Sequence, residues 1–364
     1  MSARVCFVVG ARPNFMKAAP VYRHLAQLDP ALELVLLHTG QHYDESMSNV
    51  FFNELDLPVP DEFLGVGSGT HAEQTARALV GVERVLLERE IDLCVVAGDV
   101  NSTLAAALAA AKAGIRLAHI EAGLRSFDRK MPEEHNRRLT DHLSDILFTH
   151  SESADENLAR EGIAASDVHR VGNTMIDSLR EHLAPARERR PWERFGLEPG
   201  SYVLVTLHRP ALVDDNDALD AVAAGLVALA ARLPVVFPVH PRTHERLRGR
   251  RGEQLLLAAG VHLAPPLPYH EFLGLEAEAL AVVTDSGGVQ EETSALGVRC
   301  FTLRDTTERP VTVTHGTNSV LGARPERLVE IPALLDAAVP SREIPLWDGR
   351  AGERAATVLQ RELG

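Results

Sequence analysis

Short apolar runs alternate along this chain with longer segments of helical period. In the first half the runs are VCFVVG from Val5, LELVLLHTG from Leu32, IDLCVVAGD from Ile91, RLAHIEAG from Arg116 and DILFTHS from Asp145, and VHRVGN from Val168 closes a stretch that reads as one unit. In the second half SYVLVTLHRP from Ser201, LPVVFPVHP from Leu233, ALAVVTDSGG from Ala279 and RCFTLRD from Arg299 repeat the pattern. Between the runs, segments such as 14–28 and 219–233 read as helices, the latter a clear amphipathic one. Runs apolar on both faces and separated by helices predict strands of parallel sheets. Two such halves predict an α/β chain of two Rossmann-like, doubly wound domains. The charged, Pro- and Gly-rich stretch 181–201 marks the way into the second. The expected domains are 1–172 and 173–345, followed by a C-terminal helix over 346–364 that packs back on the first.

The polar residues that interrupt this pattern share a position. Asp99 follows CVVAG, Glu121 follows RLAHI, His208 follows VLVTL, His240 follows VVFPV, and Asp285 with Ser286 follows AVVT. Each stands at the carboxyl end of a predicted parallel strand, the end that lines the ligand crevice of an open sheet. Drawn from both halves, these positions predict two domains facing each other across a cleft.

Composition narrows the partners. The chain has 364 residues and a formal net charge of -14, which argues against nucleic acid or an anionic membrane as a partner. An anionic substrate must then be held by local cations or backbone amides. Aromatics make up only 5%, so the cores are expected to be built mostly of Ala, Leu and Val. Cys6, Cys94 and Cys300 sit in or beside strand-like runs, are odd in number and match no metal spacing, so they read as reduced core thiols. No apolar stretch approaches the ~18 residues of a membrane span, and VCFVV is too short for a secretory signal. A cytoplasmic protein is the expectation.

The chemistry that these positions allow is acid–base work on a phosphorylated substrate. The first loop, GARPNFMK, lacks the G-x-G-x-x-G dinucleotide fingerprint. Its Arg12 and Lys17 are either a solvated surface or contacts to a diphosphate or sugar. In TDSGGVQEE, residues 284–292, Ser286 can cap a helix with Glu291 and Glu292 near the positive end of its dipole. The same bare amides make a phosphate site. In PEEHNRR, Glu133 and Glu134 behind Pro132 are ordinary helix-start residues. Beside Asp99 and Glu121, however, they form a set of carboxylates suited to proton transfer. His119, His135 and His142 are expected to pack or face solvent. His208, with Arg209 after it, suits a phosphate-facing imidazolium. Neither a hydrolase elbow nor a zinc spacing is present in the sequence.

Taken together, GARPNFMKAAPV, TGQHYD, AGDVNST, HIEAGLRS, PEEHNRRLTD, GNTMID, LHRP, TDSGGVQEE and LRDTTERP resemble the UDP-N-acetylglucosamine 2-epimerase family, in the family's order. The resemblance implies a glycosyltransferase-B-like fold, a UDP-sugar substrate, C2 epimerisation without a redox cofactor or metal, and a homodimer. It implies Asp99, Glu121 and Glu133 as carboxylates around C2 and the sugar, with His208 assisting UDP departure. Arg12, Ser286, Gly287 and Gly288 would hold the diphosphate, Glu292 the ribose, and Phe272 the uracil. Lys17, Arg137, His240 and Arg309 complete the implied substrate-binding set. A hydrolysing relative, a glycosyltransferase and a non-catalytic UDP-sugar sensor are the rival readings. Two departures from many bacterial members stand out: Asn14 in place of Glu, and RPVTV at 309–313. Both resemble a subgroup that includes epimerases of modified UDP-N-acetylhexosamines. Many bacterial members also bind an activating second UDP-N-acetylglucosamine through a Gln-His-Arg stretch. Here that stretch is Gln41, His42 and Tyr43, followed by Asp44 and Glu45, so loss of the activation is expected.

Overall fold

The computed structural model describes residues 3–40, 57–337 and 343–364. Two compact units emerge, Met1–Ser178 with Pro345–Gly364, and Leu179–Ile344. The partition falls inside the helix Thr174–Glu188, which runs through Pro185 into the segment read from sequence as a charged connection. A short 3-10 turn, Pro191–Phe195, follows it.

The first unit holds a seven-stranded parallel sheet of β1 (Arg4–Val9), β2 (Glu33–His38), β3 (Glu62–Phe63), β4 (Leu93–Ala97), β5 (Arg116–Ile120), β6 (Ile146–Thr149) and β7 (Val168–Arg170). Their order is β3-β2-β1-β4-β5-β6-β7. In register, Cys6 faces Val35 on one side and Cys94 on the other. Those residues and Val8, Leu37 and Val96 pack against Val82, Val85 and Leu86 of the helix His71–Glu88 and against the alanines of the helix Asn101–Ala113. The small alanine side chains let that helix lie close to the strands. The helix Ala351–Leu363 belongs to this unit; Asp177 accepts the amides of Ala351 (3.1 Å) and Gly352 (2.6 Å) at its start.

The second unit holds a six-stranded parallel sheet of β8 (Val203–Thr206), β9 (Val235–Pro238), β10 (His262–Ala264), β11 (Ala281–Thr284), β12 (Arg299–Thr302) and β13 (Asn318–Val320), in the order β10-β9-β8-β11-β12-β13. Val203 and Val205 join one core with Phe237, Val283 and Phe301, while Leu204 joins another with Trp192, Tyr202, Val236 and Val282. Both faces are thus buried, which explains why these strands read as unbroken apolar runs. In each sheet the winding reverses once, between β1 and β4 and between β8 and β11. Such a switch point opens a crevice at the strands' carboxyl ends.

The three cysteines are free and fully buried, and burial pushes the thiols of Cys94 and Cys300 up to about 12. Among the described residues, no helix is long and apolar enough to cross a membrane.

Candidate functional site

In the first unit, the switch point gathers side chains from β1, β4 and β5. Arg12 opens the helix Arg12–Leu28 directly after β1. Two residues on, Asn14 is buried; its Oδ1 accepts the amides of Gly10 (3.3 Å) and Ala11 (3.0 Å), and its Nδ2 donates to the Ala97 carbonyl (2.7 Å). A carboxylate could accept those amides but could not donate to the carbonyl. One turn along the same helix face, Lys17 pairs through Nζ with Glu121 Oε2, both side chains being almost wholly enclosed. Lys17 therefore stands on a carboxylate and is not a solvated helix cation.

The backbone is shaped around this pair. Gly98 has φ +66°, and a β-carbon there would lie 3.0 Å from Lys17 Nζ and 3.5 Å from Glu121 Oε2. Only glycine meets both demands. Glu121 itself has φ +71°. A non-glycine residue in that region costs about 1–3 kcal/mol and persists where its surroundings over-determine it.

Asp99 stands on the next strand end and pairs with Arg137 Nη2. Arg137 also reaches Glu134 Oε2 at 3.3 Å. Glu134 is buried and accepts the Ser126 amide (2.8 Å), the Ser126 hydroxyl (2.9 Å) and the Phe127 amide (3.1 Å). Its neighbour Glu133, the residue singled out from sequence, is half-buried in the first turn of the helix Pro132–Leu143, beside the face that carries Glu134, Arg137 and Asp141 inward. Of the histidines expected to pack or face solvent, His119 is wholly buried, whereas His135 is exposed and accompanies the Arg129 carbonyl at 2.9 Å.

In the second unit, His208 and Asp285 follow the neighbouring strands β8 and β11. His208 Nδ1 lies 3.0 Å from Asp285 Oδ1, and Asp285 Oδ2 accepts the amides of His208 (3.0 Å) and Arg209 (2.8 Å). Burial alone would push the Asp285 carboxyl up, but the hydrogen bond and charge of His208 and the two amides outweigh it and hold it below the usual range. The His208 side chain remains 53% exposed. The carboxylate thus orients a ring that is still reachable from outside.

After β11 comes the helix Gly287–Leu296, and here the sequence reading needs correcting. Ser286 occupies the N-cap position, yet its side chain makes no cap, and its amide, expected to meet phosphate, donates to Thr284 Oγ1 at 2.9 Å. Gly287 and Gly288 are the first two helical residues, where amides have no partner within the helix. Glu291 and Glu292 lie beyond the first turn and are buried. Glu291 Oε1 meets Arg309 Nε at 2.8 Å, so an ion pair, not the helix dipole, accounts for it. Arg309 also faces Glu308 (3.5 Å), which Arg304 holds at 2.7 and 2.9 Å. A β-carbon on Gly287 would lie 2.7 Å from Arg309 Cζ, so this glycine makes room for the guanidinium. Glu292 sits beside Glu276, whose carboxyl is held well above the usual range by burial and by the charge of Glu292. Phe272 packs beside Trp192 and Tyr202, and His240 is exposed after β9. The stretch Gln41–Glu45 lies outside the described residues.

Sequence reasoning named Asn14, Glu134 and Glu291 without their partners and missed Glu308 altogether. Asp285 was noticed at its strand end but given no partner. The signal for it was position: a carboxylate directly after an apolar strand, next in the sheet to the strand that ends in His208.

A UDP-N-acetylglucosamine 2-epimerase family model matches residues 25–360. A UDP-N-acetylglucosamine 2-epimerase of Methanocaldococcus jannaschii is 41% identical over 98% of both chains. The crystal structure of that organism's enzyme in complex with UDP-GlcNAc and UDP superposes with a TM-score of 0.90 over 98% of this chain and 99% of the other. A UDP-2,3-diacetamido-2,3-dideoxy-D-glucuronate 2-epimerase of Pseudomonas aeruginosa is 40% identical over 90% of each. With two parallel sheets of glycosyltransferase-B-like type and a match along nearly its whole length, the chain belongs to the UDP-N-acetylglucosamine 2-epimerase family of carbohydrate epimerases.

Proposed function

We propose that this protein interconverts UDP-N-acetylglucosamine and UDP-N-acetylmannosamine by eliminating UDP and adding it back. The observation that carries the reading is a pair of cation-held carboxylates, Glu121 on Lys17 and Asp99 on Arg137, at the ends of adjacent strands in a member of this family. The C2 proton of a sugar is weakly acidic. Breaking the C1–O bond builds positive charge at C1 and makes the neighbouring proton easier to remove. One carboxylate takes that proton, the C1–O electron pair leaves with UDP, and a C1=C2 double bond forms, giving 2-acetamidoglucal. In the second half, UDP oxygen bonds to C1 again and a proton arrives on the opposite face of C2.

Asp99, Glu121 and Glu133 are the carboxylates of this scheme. His208, oriented by Asp285, assists the departing diphosphate. Arg12 and the helix-start amides of Gly287 and Gly288 hold the diphosphate, Glu292 the ribose hydroxyls and Phe272 the uracil. Lys17, Arg137, His240 and Arg309 support these contacts. The working form in this reading is a cytoplasmic homodimer in which residues 1–172 supply the carboxylates, 173–345 bind UDP, and 346–364 support the first domain.

In heavy water, UDP-N-acetylglucosamine should gain deuterium at C2 in both epimers; epimerisation without C2 exchange would exclude elimination. Product analysis separates the hydrolysing alternative, which releases N-acetylmannosamine and UDP. A second reading, epimerisation of a modified UDP-hexosamine, is favoured by Asn14 and by the Pseudomonas relative. Comparing kcat/KM on the plain and the 2,3-diacetamido substrates decides between them.

A further inference from the structure

Three successive carbonyls at the end of β4 are each taken by a side chain. Ala97 receives Asn14 Nδ2 (2.7 Å) and Thr103 Oγ1 (2.9 Å), Gly98 receives His119 Nε2 (2.8 Å), and Asp99 receives Asn136 Nδ2 (2.9 Å). Of these side chains, His119 also continues into a buried charged network. It is 0% exposed, and its Nδ1 lies 2.7 Å from Asp141 Oδ1. Asp141, equally buried, accepts the Gly123 amide (3.1 Å) and meets Arg125 Nη1 (2.7 Å) through Oδ2. Arg125 in turn grips Glu161 at 2.9 and 2.7 Å.

A backbone carbonyl and an ionised carboxylate only accept hydrogen bonds. Burial would push the Asp141 carboxyl up, but His119 and Arg125 outweigh it and hold it below the usual range. His119 thus bridges two buried acceptors, the Gly98 carbonyl and the Asp141 carboxylate.

The network brackets Glu121. Gly98 is tied on the β4 side and Gly123 on the far side, two residues after Glu121. Between these ties the Glu121 backbone holds φ +71° and its carboxylate meets Lys17. We propose that His119, held by Asp141, is a positioning residue that locks the ends of β4 and β5 so that Glu121 keeps its left-handed backbone and its carboxylate stays on Lys17. The consequence for turnover rests on Glu121 acting as a reacting carboxylate.

In a crystal structure of His119→Gln, Glu121 should leave positive φ or its carboxylate should leave Lys17; an unchanged Glu121 overturns the proposal. That readout needs no substrate, so a wild-type protein without C2 exchange would sink the epimerase reading alone. With turnover established, His119→Gln should lower kcat by ~100-fold, the scale of a small misplacement of a reacting group, while UDP affinity stays within twofold. Asp141→Asn should do the same, and the double variant should be no worse than the poorer single one. Effects that multiply, a His119→Gln kcat within twofold of wild type, or a parallel loss of UDP affinity would each refute the positioning role. Should His119→Gln not fold, Asp141→Asn carries the same structural and kinetic comparison.

Discussion

Glu121 carries most of the chemistry proposed at the residue scale, and its surroundings account for its choice. It is buried, held by Lys17, and fixed in a backbone region that strains every residue except glycine. Glu121→Gln keeps the size and can still accept from Lys17, but it cannot take a proton. Turnover is expected to fall by ~100- to 10,000-fold with UDP affinity, measured by calorimetry, largely kept. Activity within twofold of wild type would remove Glu121 from the reaction. The position of Glu121 was legible because a charged residue directly after an apolar strand is conspicuous. Its partner was not, since Lys17 lies 104 residues away and nothing local distinguishes a lysine that will be buried from one on a helix surface. Gly287 shows the same limit. It was read as a bare amide for phosphate, and the fold also uses it as space for Arg309.

At the scale of elements, the strands of four residues or more were legible, and three of the shorter ones were not. β1, β2, β4 and β5 are five or six residues long and apolar on both faces, whereas β3, β10 and β13 have two or three residues, too few to establish a period. The helix Thr174–Glu188 was obscured by Pro185 and by its charge, both of which resemble a linker. Connections between strand ends are also testable. Asp285 ties the end of β11 to the loop after β8 through two amides and His208. Its carboxyl lies below the ordinary value of 3.8, so the folded state binds its proton less readily than the unfolded chain. The stability that it contributes is fully present above about pH 4 and is lost as pH falls through the lower folded value. Asp285→Asn should therefore narrow the difference in urea midpoint between pH 7 and pH 3. An unchanged difference would show that Asp285 is not a source of acid sensitivity.

The whole molecule carries a net charge of -14, so a second anionic nucleotide must be attracted by local cations against the overall field. After Gln41 and His42 the chain has Tyr43, Asp44 and Glu45, with no guanidinium for a diphosphate. A like charge at ~4 Å costs about 1–4 kcal/mol, comparable to an activating coupling of ~1–3 kcal/mol. Highly purified UDP-N-acetylmannosamine should accordingly be epimerised without a lag and with hyperbolic kinetics. A long lag abolished by a trace of UDP-N-acetylglucosamine would show that the activating site survives. Sequence alone determined the α/β class, the doubly wound pattern, the strand ends on which Asp99, Glu121, His208 and Asp285 stand, and the family, because each is written in local period or in short contiguous motifs. Tertiary structure alone decided that Lys17 meets Glu121, that Arg309 meets Glu291 across Gly287, and that His119 sits between Asp141 and Gly98. Those pairings depend on which strands become neighbours and on which side chains lose water together, and both follow from the order of the sheet, which no local period records.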